Sequence, residues 1–172
     1  RPADGNETAC AWKEALTTVD SPTALILSRQ KLPTLDVKQK DGEFKYGAYT
    51  VKNVQDPDML LIATGSEVHI CVEAAQTLEK EHSIKAAVVS MPSWELFEKA
   101  PAPYRERILP QEVTKRLVVE AGISMGWEKY AGTEGEIIGI NRFGASAPGG
   151  TVLKNLGFSA ENIVENAVKM MK

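Results

Sequence analysis

The chain is short of cysteine and histidine, carries no strong charge of either sign and contains no long apolar run. Its two cysteines, Cys10 and Cys71, lie far apart in 172 residues. They make no disulfide framework and suit a reducing compartment. The two histidines, His69 and His82, have no Cys or carboxylate at the spacing that zinc sites use. Twenty basic against 23 acidic side chains leave a net charge of -3, without the basic stripe of a nucleic-acid binder. No window approaches the roughly 18 uninterrupted apolar residues of a membrane span. There is no internal repeat and no low-complexity tract. There is also no initiator Met, signal-like apolar run or transit segment ahead of Arg1-Pro2. The chain reads as part of something longer.

What is present is ordinary globular material, 43% hydrophobic and 25% charged. It suffices for a packed core without disulfide or metal staples. Residues 1–33 read as a helix and then a strand. Asp4 with Glu7 resembles a capping box, and Ala11, Trp12, Ala15, Leu16 and Val19 recur at helical spacing. Ser21-Pro22 stops the helix, and Thr23 to Ser28 is an apolar run of the buried parallel-strand kind. A helix and one strand cannot bury their own apolar surface, so this stretch reads as the remnant of a second α/β domain. Residues 34–57 are polar, with a turn signal at Asp41-Gly42 and partial alternation through Phe44, Tyr46, Ala48, Tyr49 and Val51. They predict a linker ending in an edge strand.

Residues 58–172 alternate strand and helix. Apolar runs at Met59–Thr64, Ile84–Ser90, Arg116–Glu120 and Glu136–Ile140 are spaced by helical patterns, and Ser159 caps a last helix. This predicts an α/β domain, a mainly parallel sheet covered by helices on both faces.

The chemistry legible in single residues is thin. Gly65-Ser66-Glu67 between a strand and a helix could hold an anion on backbone N–H groups, but it lacks dinucleotide and P-loop spacing. No Gly-x-Ser-x-Gly elbow accompanies the serines. Nothing near Cys10 or Cys71 lowers a thiol pKa. Glu95 with Glu98, or Glu134 with Glu136, are spacings common on solvated surfaces. Gly144-Ala-Ser-Ala-Pro-Gly-Gly150 is a small-residue loop that could approach a ligand or a subunit, or simply position the last helix. Arg1, ahead of a helix N-terminus, is a sensible place for a phosphate or carboxylate. No catalytic, cofactor-binding or metal-binding residue is identified.

Six strings nevertheless resemble transketolase in order along the chain. They are Arg1-Pro-Ala-Asp-Gly-Asn-Glu-Thr8, Ser28-Arg-Gln-Lys-Leu-Pro33, Ile62-Ala-Thr-Gly-Ser-Glu-Val68, Val89-Ser-Met-Pro-Ser-Trp-Glu-Leu-Phe97, Val119-Glu-Ala121 with Gly126-Trp127, and Phe143-Gly-Ala-Ser-Ala-Pro148. The resemblance implies that residues 1–33 are the tail of the pyrimidine-binding domain, 34–57 a linker with an edge strand, and 58–172 the C-terminal domain. It also implies a cytoplasmic homodimeric parent enzyme of the pentose phosphate pathway. That enzyme would use thiamine diphosphate with Mg²⁺ or Ca²⁺ to move a two-carbon ketol unit between sugar phosphates. The family's metal- and diphosphate-binding segment, its catalytic histidines and its cofactor-activating glutamate have no counterpart among these residues. This chain alone is therefore expected to be inactive and to bind no cofactor. Only Arg1 carries over, as a contact to the substrate phosphate; Arg29 carries no transferable role. Dihydroxyacetone synthase and deoxyxylulose-phosphate synthase are similar enzymes. A stand-alone binding or dimerisation module is the alternative from another class.

Overall fold

The structure, a computed structural model, describes residues 1–35 and 42–172. Five strands form one sheet: β1 (Tyr49–Lys52), β2 (Met59–Ala63), β3 (Ala86–Ser90), β4 (Arg116–Val119) and β5 (Glu136–Ile138). Their order is β1-β3-β2-β4-β5. Four strands run parallel, and β1 joins β3 antiparallel at the edge. Every residue of β2 and of β3 is buried, which is why both read as near-continuous apolar runs rather than alternations.

Alternation along the strands then sorts the core into two layers. Met59, Leu61, Ala63, Val88 and Leu117 face one side. There they meet α2 (Glu67–His82) and α7 (Ala160–Met170). Leu60, Ile62, Val89 and Val118 face the other side. They meet the helices α3 (Trp94–Lys99), α4 (Ala102–Ile108) and α5 (Glu128–Ala131); Trp127, just ahead of α5, and Tyr130 within it meet edge-on at 5.7 Å. Ser159 accepts the Asn162 N–H at the start of α7, as its sequence position predicts. The α/β expectation, a mainly parallel sheet with helices on both faces, holds.

Helix α1 (Gly5–Thr17) starts where Asp4 accepts the Glu7 N–H. Its apolar stripe is largely uncovered: Trp12 is 53% and Leu16 76% exposed, and Val19, expected on the same face, lies past the helix end. Three local expectations are corrected. Thr23–Ser28 carries no regular secondary structure and pairs with no described strand, because a ladder needs a neighbour with matching N–H and C=O groups and none of the five strands supplies one here. Phe44–Tyr46 is a 3₁₀ turn rather than strand, closed by Gly47 at φ +77°. The Gly144–Gly150 stretch is loop only to Pro148, after which α6 (Gly149–Asn155) begins. Proline fixes the backbone just ahead of that helix, and this outweighs the poor helix propensity of two glycines. The predicted Asp41-Gly42 turn falls partly on residues 36–41, outside the described residues.

Candidate functional site

The chain leaves β2 through α2 toward β3, then crosses back over β2 to reach β4. The carboxyl ends of β2 and β4 therefore flank the point where connections diverge, the usual ligand crevice of an open α/β sheet. Two βα turns form its rim, Thr64-Gly65-Ser66-Glu67 and Glu120-Ala121-Gly122.

Arg1 enters this crevice. Its Nη1 donates to Thr64 Oγ1 at 3.0 Å, stands 2.8 Å from Glu67 Oε2 and donates to Glu120 Oε1. Thr64 passes the contact on, donating to Glu120 Oε2 at 2.6 Å. The Gly65 N–H donates to the Arg1 carbonyl at 3.2 Å. Gly65, at φ +54°, leaves room for the guanidinium: a Cβ there would stand 2.9 Å from Arg1 Nη2. The carboxylates are deeply placed, Glu67 1% and Glu120 7% exposed. Burial alone would lower the Arg1 pKa, but Glu67 and Glu120 overcome it and raise it. Burial pushes the Glu120 carboxyl above its usual range, with repulsion from Glu67 adding to it, against the pull of Arg1 and the Thr64 hydroxyl. One cation between two carboxylates leaves the trio with one excess negative charge.

A third buried carboxylate, Glu7, lies near the same segment. Glu7 accepts from the Ala3 N–H at 2.7 Å, the Tyr49 hydroxyl at 2.7 Å and the Ser90 hydroxyl at 2.6 Å. These donors are neutral, so burial pushes the Glu7 carboxyl up, more than the three hydrogen bonds pull it down. Asp4 caps α1 with one oxygen and accepts the Leu35 N–H with the other at 2.9 Å.

The remaining candidates are scattered. His69 sits in the first turn of α2 and His82 at its last residue, and burial pushes the His69 pKa down. Cys10 is half-buried on α1 and Cys71 buried on α2; burial raises both thiols. Glu98 accepts from the Tyr130 hydroxyl at 2.9 Å and pairs with Lys129 at 2.7 Å, while Glu95 accepts from Ser93. Glu134 pairs with Lys115, and Glu136 is exposed on β5. Arg29 and residues 141–150 are exposed. Among the described residues no group of three or more His, Cys, Asp or Glu could hold a metal ion, so the donors present do not fit one. The sequence reading missed Glu67 and Glu120 as the partners of Arg1. The available signal was a carboxylate just past each of two all-apolar runs, the place where a doubly wound sheet opens its crevice.

The model of the transketolase-like TK C-terminal domain matches residues 47–159. The chain is 50% identical over its whole length to a transketolase of Halalkalibacterium halodurans, and 51% identical over 99% of its length to one of Bacillus subtilis. It spans 26% of the length of each of these relatives. It also superposes on a solved transketolase from Leishmania mexicana with a TM-score of 0.91 and 40% identity, over 99% of this chain and 24% of that one. The chain belongs to the transketolase family, in its C-terminal domain.

Proposed function

We propose that this chain is the C-terminal part of a transketolase. The full-length enzyme then moves a two-carbon ketol unit from a ketose phosphate to an aldose phosphate in the pentose phosphate pathway. Identity near 50% across the whole chain carries this reading. In that enzyme thiamine diphosphate with Mg²⁺ or Ca²⁺ supplies the carbanion chemistry. No bond-making step falls to a residue of this chain, whose donor set does not suit the metal. Its part is architectural, supporting the neighbouring domains and a homodimer in the cytoplasm. Residues 1–33 are then the tail of the pyrimidine-binding domain, 34–57 a linker with the edge strand and 58–172 the C-terminal domain. The uncovered apolar side chains of α1 and of residues 26–27 support that division.

Arg1 contacts the substrate phosphate in this reading. Its contacts to Thr64, Glu67 and Glu120 all run through Nη1, and none of them uses the Nε–Nη2 edge with which a guanidinium grips phosphate. Because the two carboxylates outweigh its charge, a phosphate dianion at Arg1 needs further cations from elsewhere in the enzyme.

The test is turnover of xylulose 5-phosphate plus ribose 5-phosphate with added cofactor and metal. The full-length enzyme should be active and the 172-residue chain inactive; clear turnover by the chain alone overturns the architectural role. Preference for formaldehyde as acceptor would instead identify a dihydroxyacetone synthase. In full-length Arg1→Ala, KM should rise for phosphorylated sugars but not for an unphosphorylated ketose. An equal effect on both removes the phosphate contact.

A further inference from the structure

We infer that the crevice between the ends of β2 and β4 is a preformed guanidinium receptor, and that Arg1 clamps the N-terminal segment to the sheet by filling it. The inference concerns binding within the chain and does not depend on whether Arg1 also meets phosphate.

Three features make it a built site. First, each carboxylate is held by a donor other than Arg1. The Ala121 N–H donates to Glu67 Oε2 at 3.0 Å, and the Thr64 hydroxyl donates to Glu120 Oε2. The oxygens are thus oriented before any cation arrives. Second, two carboxylates on adjacent βα turns, both almost fully buried, repel one another unless a cation lies between them, and a planar cation with several donors can serve both. Third, the floor is glycine: Gly65 at φ +54° gives the plane of the guanidinium a surface that a side chain would fill. In doubly wound sheets this position takes a diffusible ligand. Here the chain's own cation takes it, and the same segment is tied a second time through the Ala3 N–H and Glu7.

Removing the Arg1 side chain should leave a vacant site that takes free guanidinium. The test is hydrogen exchange of peptides covering residues 1–12 and 64–70 in the full-length protein. Arg1→Ala should speed exchange in both peptides by about tenfold. Guanidinium chloride at low millimolar concentration should restore protection saturably, while tetramethylammonium chloride at equal ionic strength should not. If the alanine variant does not fold, Arg1→Lys keeps one cation beside the carboxylates. It should still exchange faster than the native protein, because an ammonium lacks the planar fork. Unchanged exchange in the variant that folds, or equal rescue by both salts, overturns the receptor. Turnover is not read in this assay, so its failure is separate from failure of the transketolase reading.

Discussion

The Tyr49 hydroxyl donates to Glu7 Oε1 at 2.7 Å, so edge strand β1 and helix α1 meet on one buried carboxylate. Ser90, at the end of β3, donates to the same oxygen at 2.6 Å. Helix α1 has an uncovered apolar stripe, and its attachment to the sheet depends on such polar ties rather than on area.

Tyr49→Phe and Ser90→Ala each leave this carboxylate one donor short. Each should cost about 1–3 kcal/mol, the usual penalty for an under-satisfied buried polar group. Urea unfolding measures it. A loss below about 0.5 kcal/mol, the range of neutral surface changes, would mean that Glu7 finds another donor.

The raised pKa of Glu7 has a pH signature. Burial is its main cause, against the hydroxyls of Ser90 and Tyr49 and the Ala3 N–H, with Asp4 adding to the rise. Between the ordinary carboxyl value and the raised one, the folded state holds a proton that the unfolded state has released. Its contribution is therefore fully present below about pH 4.3 and is lost as pH rises through the raised value. Glu7→Gln removes this titration. The stability of the native protein relative to Glu7→Gln should fall as pH rises above about 4.3. A difference that is flat or rises with pH contradicts the assignment.

Gly47 closes the 3₁₀ turn against the start of α3. A Cβ there would meet the Ser93 carbonyl oxygen at 2.3 Å and the Phe97 nitrogen at 2.4 Å, and φ is +77°. Neither neighbour is a flexible side-chain end, so the backbone must shift. Gly47→Ala should cost more than about 2 kcal/mol, seen as a lower melting temperature with loss of the Tyr104 hydroxyl bond to the Ala48 carbonyl.

Leu61 is fully buried at the centre of the sheet, where Leu61→Ala should cost about 2–5 kcal/mol. Phe143 is as large but 97% exposed. In this chain Phe143→Ser should stay within about 0.5 kcal/mol. Comparable losses at the two positions would mean that Phe143 is covered in solution.

Much of the fold was legible because its signals are local. The runs at Met59–Ala63 and Ala86–Ser90 carried the near-continuous apolar pattern of strands buried on both faces, and Ser159 announced the last helix by its capping chemistry. Thr23–Ser28 looked the same by composition, yet pairs with no described strand, because pairing belongs to the neighbour and not to the segment. The start of α6 was hidden by Gly149-Gly150, whose weak propensity gave no hint that Pro148 would begin a helix.

The site divides in the same way. Its residue types, the arginine ahead of a helix and the glycine of a βα turn, could be picked out by reading along the chain. Family membership was legible too, since six ordered strings survive any uncertainty about contacts. By itself, the sequence determined the α/β class, the four parallel strands and the family, all of which rest on residue type and spacing. Only the tertiary structure decided that Arg1, Glu67 and Glu120, separated by up to 119 positions, share one crevice. The crossover that brings the ends of β2 and β4 together is a property of chain path, and the electrostatic partnership exists only at the distances that path creates.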